Sequence, residues 1–308
     1  MKAVMYHYVR EFDDDHPNFR FLDVENFKKQ LDFFSKEYGF VSKDDWNDFV
    51  AGHGINKSKG KIILTLDDAM SCHYDYVFPE LIKRDLWGVF YVPTLPYSEG
   101  KLLDVHRIHL LCGAINGRDL LNSLLSFITD EMIPDKKREE FRLKTYMKQD
   151  NYDGVTEFKR ILNYFIGYEC RETVIDKVAK TFGYDFDVSK FYITPENLKK
   201  MKQGGMVIGS HTINHPVMSK LSREEQSIEI NDSFNYLEKM GCLTTKTYCH
   251  PYGGFHSFNK NTVDLLNDLN VLYSFNVESR DITEEDISDS RQFLPRFDSN
   301  EFPHGTVS

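Results

Sequence analysis

Two adjacent carboxylates, Asp67 and Asp68, end the apolar, β-branched run Ile62-Ile63-Leu64-Thr65-Leu66. Such a run reads as a buried strand, and neighbouring residues on a strand point to opposite sides. The two acids would then meet different surroundings and could hold different protonation states and roles. The same pair could equally open a following helix, where acids are common at the N-cap and in the first turn. A second constellation weighs against that simpler use. His211 and His215 directly follow another predicted strand, Met206-Val207-Ile208-Gly209-Ser210. If His215 falls in the first turn of a helix, both imidazoles can reach one cation. Zinc, iron and related divalent ions favour imidazole nitrogen combined with a carboxylate oxygen. Two histidines at this spacing also arise by chance on helix surfaces. Joined to the acid pair, they leave one carboxylate to complete a three-ligand site and the other to take a proton from water.

These residues need elements to carry them. Residues 2–9 read as a first strand, followed by an acidic, aromatic loop through Asp13-Asp14-Asp15-His16-Pro17. An amphipathic helix is predicted from Val24 to Tyr38, with Phe27, Leu31 and Phe34 at helical spacing and Gly39 to end it. A shorter helix is predicted near Asp44–Ala51, and a helix from His73 to Arg84 despite Pro79. Trp87–Val92 is then a strand. Strand, helix, strand is the mark of a largely parallel sheet, whose ligands collect at the carboxyl ends of the strands. Asp67 and Asp68 lie at such an end. From about Tyr97 to Phe191 the rhythm changes to helical pieces near Asp104–Gly113, Asp119–Phe127, Asp135–Lys148, Val155–Phe165 and Glu172–Phe182, so 97–191 is read as a helical insertion in a single domain spanning 1–308. The α/β rhythm then resumes. Thr194 caps a helix with Pro195 in its first turn, and Ser222 and Glu225 form a capping box for a helix running to about Met240. Thr247-Tyr248-Cys249 precedes a turn at His250–Gly254, followed by a helix to about Leu269 and a strand at Val271–Phe275.

Composition narrows the function classes. The chain has 308 residues, enough for a large core, and its 24 Phe and 17 Tyr mark it as globular. Five scattered cysteines without a C-x-x-C pair suggest a reducing compartment and no cysteine-rich zinc site. A formal charge of −10 argues against nucleic acid or an anionic membrane surface as the main partner. The first residues, Met1–Tyr8, are too polar for a leader, and no long apolar stretch would span a membrane, so a cytoplasmic location is expected.

Three stretches together resemble the polysaccharide deacetylases, carbohydrate esterase family 4. Leu64-Thr65-Leu66-Asp67-Asp68-Ala69 is similar to the family's T-F-D-D-G motif, Ser210-His211-Thr212-Ile213-Asn214-His215-Pro216 to H-[ST]-x-x-H-[PS], and Tyr248-Cys249-His250-Pro251-Tyr252-Gly253 to [FY]-x-x-P-[YF]-G. The resemblance implies a deformed (β/α) barrel of about seven parallel strands. It implies Asp68, His211 and His215 as ligands of a divalent metal, usually zinc, with Asp67 as general base and the Tyr252 backbone N–H as an oxyanion donor. It also implies removal of an acyl group, most readily N-acetyl, from an amino sugar. Without a leader, that sugar is expected to be nucleotide- or lipid-linked, a precursor of a surface polysaccharide.

The departures are as informative. Leu66 and Ala69 replace Phe and Gly, and Cys249 stands where many members carry an Arg that braces the base. Arg296, in Leu294-Pro295-Arg296-Phe297-Asp298, is the candidate to replace it. The late L-x-H motif that supplies the family's general acid is missing, which leaves His250, His7 and His304 as candidates. His106 and His109 could line a substrate wall or simply pack, and Cys249 could be a nucleophile or a small apolar residue. Two other classes stay open. One is a sugar-binding or scaffold protein that kept the fold and lost turnover; the other is a non-haem iron oxygenase, which gives the second aspartate no task.

Overall fold

The computed structural model describes residues 1–55, 58–134, 145 and 153–307. They form two compact units, one of 1–11, 21–100 and 189–308, the other of 12–20 and 101–188. In chain order the strands are β1 (Lys2–Tyr6), β2 (Val9–Arg10), β3 (Leu22–Asp23), β4 (Ile62–Asp67), β5 (Val89–Val92), β6 (Val207–Ser210), β7 (Thr247–Cys249), β8 (Tyr273–Phe275) and β9 (Phe297–Asp298). Seven of them make one sheet in the order β8-β7-β6-β5-β4-β1-β9, parallel at every pairing, while β2 and β3 form a separate two-residue ladder. The expected deformed barrel of about seven parallel strands is what the chain forms.

One short run closes it. The Leu294 N–H donates to the Ser274 carbonyl at 2.8 Å, and its own carbonyl accepts from Asn276, so this residue lies along β8. Three residues later Phe297 and Asp298 pair with Val4 and Met5 of β1. Leu294–Asp298 therefore satisfies both edges of the sheet, which otherwise would offer unpaired backbone groups.

Alternation sorts the side chains. In β4, Ile62, Leu64 and Leu66 pack outward with Phe27, Leu31 and Phe34 of the helix Val24–Glu37. Ile63 turns inward to a second cluster with Val89, Tyr91, Val207, Cys249, Tyr273 and Phe275. Thr65 and Asp67 share the parity of Ile63, so Asp67 ends on the inner face. The same count places Cys249 of β7 on that face, together with His7 and His211, which directly follow β1 and β6, and His250 on the other.

The helix boundaries differ from expectation where physical chemistry explains it. Residues 73–83 are helical as expected but not α-helical throughout: a π turn, His73–Val77, runs directly into the α-helix Phe78–Lys83, and the Phe78 N–H donates to the His73 carbonyl. Pro79 lacks an N–H and its ring crowds the preceding turn, which the wider turn relieves. The first strand stops at Tyr6, and His7 begins the loop above the sheet. The second unit holds helices Asp104–Ala114, Gly117–Leu125, Val155–Arg160 and Tyr168–Thr181. The acidic loop of residues 12–20 belongs to it, since the Asn18 N–H donates to the Gly113 carbonyl and His16 Nε2 lies 2.7 Å from the Tyr184 hydroxyl. The expected helical piece at 135–148 lies outside the described residues apart from Thr145. Among the described residues no helix is long and apolar enough to cross a membrane.

Gly209 makes one close approach possible. A Cβ there would stand 2.6 Å from Thr247 Cγ2, 2.7 Å from the Thr247 carbonyl and 2.9 Å from the Tyr91 ring. Gly209→Ala should therefore push β7 away and lower stability by about 1–3 kcal/mol, read as a fall in the urea midpoint with an unchanged slope.

Candidate active site

The carboxyl ends of β4, β6 and β7 bring the predicted residues together. Asp67 is buried, and Arg296 grips it with both arms: Nη1 donates to Oδ1 and Nη2 to Oδ2, each at 2.9 Å. Arg296 Nη1 also donates to Thr65 Oγ1 at 3.1 Å, and Nε to the Asn276 carbonyl at 3.3 Å. The guanidinium is thus held in the closing run with its donors spent on the barrel interior. Burial by itself would raise the Asp67 carboxyl, but the charges of Arg296 and His211 and the bonds from Arg296 outweigh it and bring the pKa down to about 2. Asp67 is ionised at any working pH.

Asp68 begins the loop, with its N–H donating to the Tyr91 carbonyl. Its Oδ1 lies 3.4 Å from His211 Nε2 and 3.6 Å from His215 Nε2. A tetrahedral ion with metal–ligand bonds of about 2.1 Å separates its ligand atoms by about 3.4 Å, so Asp68 stands from each imidazole at the spacing such an ion requires, and the three atoms all lie within 4.8 Å of one another. The tautomer also fits. His211 Nδ1 is 2.9 Å from the Cys249 carbonyl, which can only accept, so Nδ1 carries the proton and Nε2 turns a lone pair towards Asp68. Burial lowers the His211 pKa, which favours the neutral, ligating form.

A second trio, Asp67, His211 and Cys249, also comes within ligand distance. There the position of a cation is already filled. Arg296 Nη2 lies 2.9 Å from both Asp67 Oδ2 and Cys249 Sγ. Burial pushes the Cys249 thiol well above its ordinary value, so it is not a thiolate nucleophile; its Sγ–H faces Asp67 Oδ2 at 3.5 Å.

The backbone around these side chains is strained. Asp68, Ala69, Thr212, His215 and Tyr252 all have positive φ, while the other three such non-glycine residues among the described residues, Asp85, Asn270 and His304, lie in turns elsewhere. Strained conformations of this kind gather at functional sites when surrounding bonds enforce them. Here the expectation of a helix around His215 is corrected: residues 211–216 form a loop, and His215 reaches Asp68 through a left-handed φ of 53°. Ala69, at the place of the family's glycine, is itself held at a φ of 52°. Tyr252, with φ of 64°, places its ring 4.7 Å from that of His215, so the Pro251–Gly253 turn stands at the ligand end of the site.

The histidine candidates part company. His7 Nε2 lies 4.0 Å from Asp67 Oδ2 and its side chain is 40% exposed, so it faces both base and solvent. Its carbonyl accepts from His73 Nε2, a buried residue that the sequence reading passed over. His250 does not stand with them. The alternation that aims Cys249 at Asp67 turns His250 outward, where Nε2 donates to the Gln292 carbonyl at 2.7 Å and the ring stacks on Phe258 at 3.9 Å. Burial brings its pKa down to about 3, so the expectation of a proton donor there does not survive. His304 sits in an exposed turn, and His106 is buried in the second unit beside His109.

The architecture has counterparts among solved structures. The fold aligns with the Streptococcus pyogenes deacetylase PplD in complex with acetate, at a TM-score of 0.57 and 18% identity over 97% of this chain and 91% of that one. It also aligns with a polysaccharide deacetylase from Bacillus cereus, at 0.54 and 14% identity over 96% and 64%. Residues 150–274 match the sequence profile of the polysaccharide deacetylase family, a range that includes His211, His215 and Tyr252 and starts after the acid pair. Over 86 residues it is 31% identical to the peptidoglycan-N-acetylmuramic acid deacetylase PdaC of Bacillus subtilis, a stretch that covers 27% of this chain and 18% of PdaC.

Two outcomes follow from the buried charges. Arg296→Met leaves Asp67 without its partner and should lower stability by about 3–5 kcal/mol, much of it regained when Asp67→Asn is added, as urea denaturation of the single and double variants will show. For His250 the unfolded chain takes up a proton below about pH 6.5 and the native state does not until about 3. Its contribution is therefore intact above pH 6.5 and lost as the pH falls, amounting to about 2 kcal/mol by about pH 5. The stability gap between wild type and His250→Gln should shift by that amount between about pH 7 and pH 5.

Proposed function

We propose that the chain hydrolyses an acyl amide, most readily an N-acetyl group on an amino sugar of a surface glycan or its precursor. The observation that carries this is the convergence, at the strand ends, of one carboxylate clamped by Arg296 and another set at ligand distance from two imidazoles. The first suits proton transfer from water, the second a cation. Asp68, His211 and His215 would hold that divalent ion, with zinc the first choice for two nitrogens and one oxygen; when bound, it polarises the acyl carbonyl and lowers the pKa of water.

The protein groups divide the remaining work. Asp67 accepts the proton of the attacking water. Arg296 fixes both carboxylate oxygens so that the charge does not turn away, and Thr65 fixes Arg296 in turn. As the carbonyl carbon becomes tetrahedral, the Tyr252 N–H donates to the developing oxyanion. His7, partly exposed and close to Asp67, gives a proton to the departing amine, which otherwise is a poor leaving group. Its main chain is fixed by His73, whose Nε2 donates to the His7 carbonyl. A glycan is supported by the family and by PdaC, a peptidoglycan deacetylase by name.

The test is acetate release from acetylated nucleotide-sugars and from chitin- and peptidoglycan-type oligomers, with zinc, cobalt or chelator. Metal-dependent release should fall at least about a hundredfold in Asp67→Asn, with metal still bound, and should vanish with the metal in Asp68→Ala. Full activity of Asp67→Asn would remove the proposed base.

A further inference from the structure

The ligand loop is too strained to hold itself. Within four residues Thr212 and His215 adopt φ of 68° and 53°, each costing an L-residue about 1–2 kcal/mol. Its carbonyls are anchored on one side, where Thr212 and Ile213 accept from the N–H groups of Thr94 and Leu95 at 3.1 Å each. On the other side a single buried carboxylate takes the donors. Glu229 Oε2 accepts from the Ile213 N–H at 2.9 Å and the Asn214 N–H at 3.0 Å, and Oε1 accepts from Asn214 Nδ2 at 2.6 Å. Glu229 lies on the helix Arg223–Lys239. Four residues on, the same face presents Ser233, whose hydroxyl meets that of Ser210, and Ser210 accepts from the Thr212 N–H at 3.2 Å. Inside the loop Thr212 Oγ1 accepts from the His215 N–H at 2.9 Å.

We propose that Glu229 is a positioning residue for the cation site: it clamps the 212–214 backbone so that His215 stays opposite Asp68 while His211 stays at the end of its strand. The chemistry of the clamp calls for a group that only accepts, because three N–H donors converge on it. Without it, two backbone donors are buried unpaired and Thr212 is free to return to negative φ, which swings His215 away. The inference rests on Asp68, His211 and His215 being the cation ligands.

The experiment is cobalt binding, followed by the d–d absorption of the bound ion and by zinc competition, in wild type, Glu229→Ala, Glu229→Gln and Asp68→Ala. Partners one step behind metal ligands are worth about 10–100-fold in affinity. Glu229→Ala should lose that much and change the cobalt spectrum. Glu229→Gln should recover most of it, since one oxygen still meets the backbone donors once the Asn214 amide turns over. If Glu229→Ala does not fold, Glu229→Asp, whose carboxylate is drawn back by one methylene, should still weaken binding. Wild-type affinity and spectrum in Glu229→Ala or Glu229→Asp, with cobalt lost in Asp68→Ala, overturns the clamp alone. Cobalt binding unchanged in Asp68→Ala, or absent in wild type, overturns the ligand assignment and the clamp with it.

Discussion

Arg296 and Asp67 bury opposite charges in the middle of an apolar barrel, and most of the unit around them answers to that fact. Neither could be interior alone; together, with Thr65, Cys249 and the Asn276 carbonyl, they form a set in which the carboxylate has two fork-geometry bonds and the guanidinium no idle arm. The pair also joins β4 to the run that closes the ring. Ring closure and preparation of the base are one structural event, because Arg296, which prepares the base, sits between the two half-strands that close the ring.

The division of labour between the two aspartates follows from geometry as simple as strand pleating. Asp67 keeps the inward parity of Ile63 and Thr65 and meets the guanidinium. Asp68, one residue on, leaves the strand at a φ of 81° and meets imidazoles instead. Identical side chains thus acquire different partners. The same parity explains why the third motif contributes Cys249 to the interior and gives His250 to the packing of Phe258.

Much of this was legible in the sequence. Strand-ending acids, histidines after a strand, the capped helices and the βαβ rhythm each leave a local signature, and a largely parallel sheet follows from them, while the resemblance implied its seven or so strands. Arg296 could be named because an arginine was missing at Cys249 and another stood in a strand-like run near the end. What failed to show was non-local or conformational. His250 reads as a site residue by its neighbours in sequence, and only the pleat tells against it. The His215 loop resembles a helix start, because no residue in it is glycine and the positive φ values are imposed by partners elsewhere in the chain. Glu229 looks like any polar residue of an amphipathic helix, and His73 like any histidine; what marks them is which backbone group they hold. Residues 12–20 carry no signal that they pack with helices a hundred residues away.

The closing run also orders events in time. Val4 pairs with Phe297 and Asp67 with Arg296, contacts that span most of the chain, while the other sheet pairings join strands nearer in sequence. Loop closure of that length must be met before the contacts it allows can repay it, so the ring is expected to zip from β4 to β8 and seal last. Until it seals, Asp67 faces water as an ordinary acid with no guanidinium to orient it. A partly folded chain can therefore own both histidines and both aspartates and still lack a working base, which ties the onset of chemistry to the completion of folding.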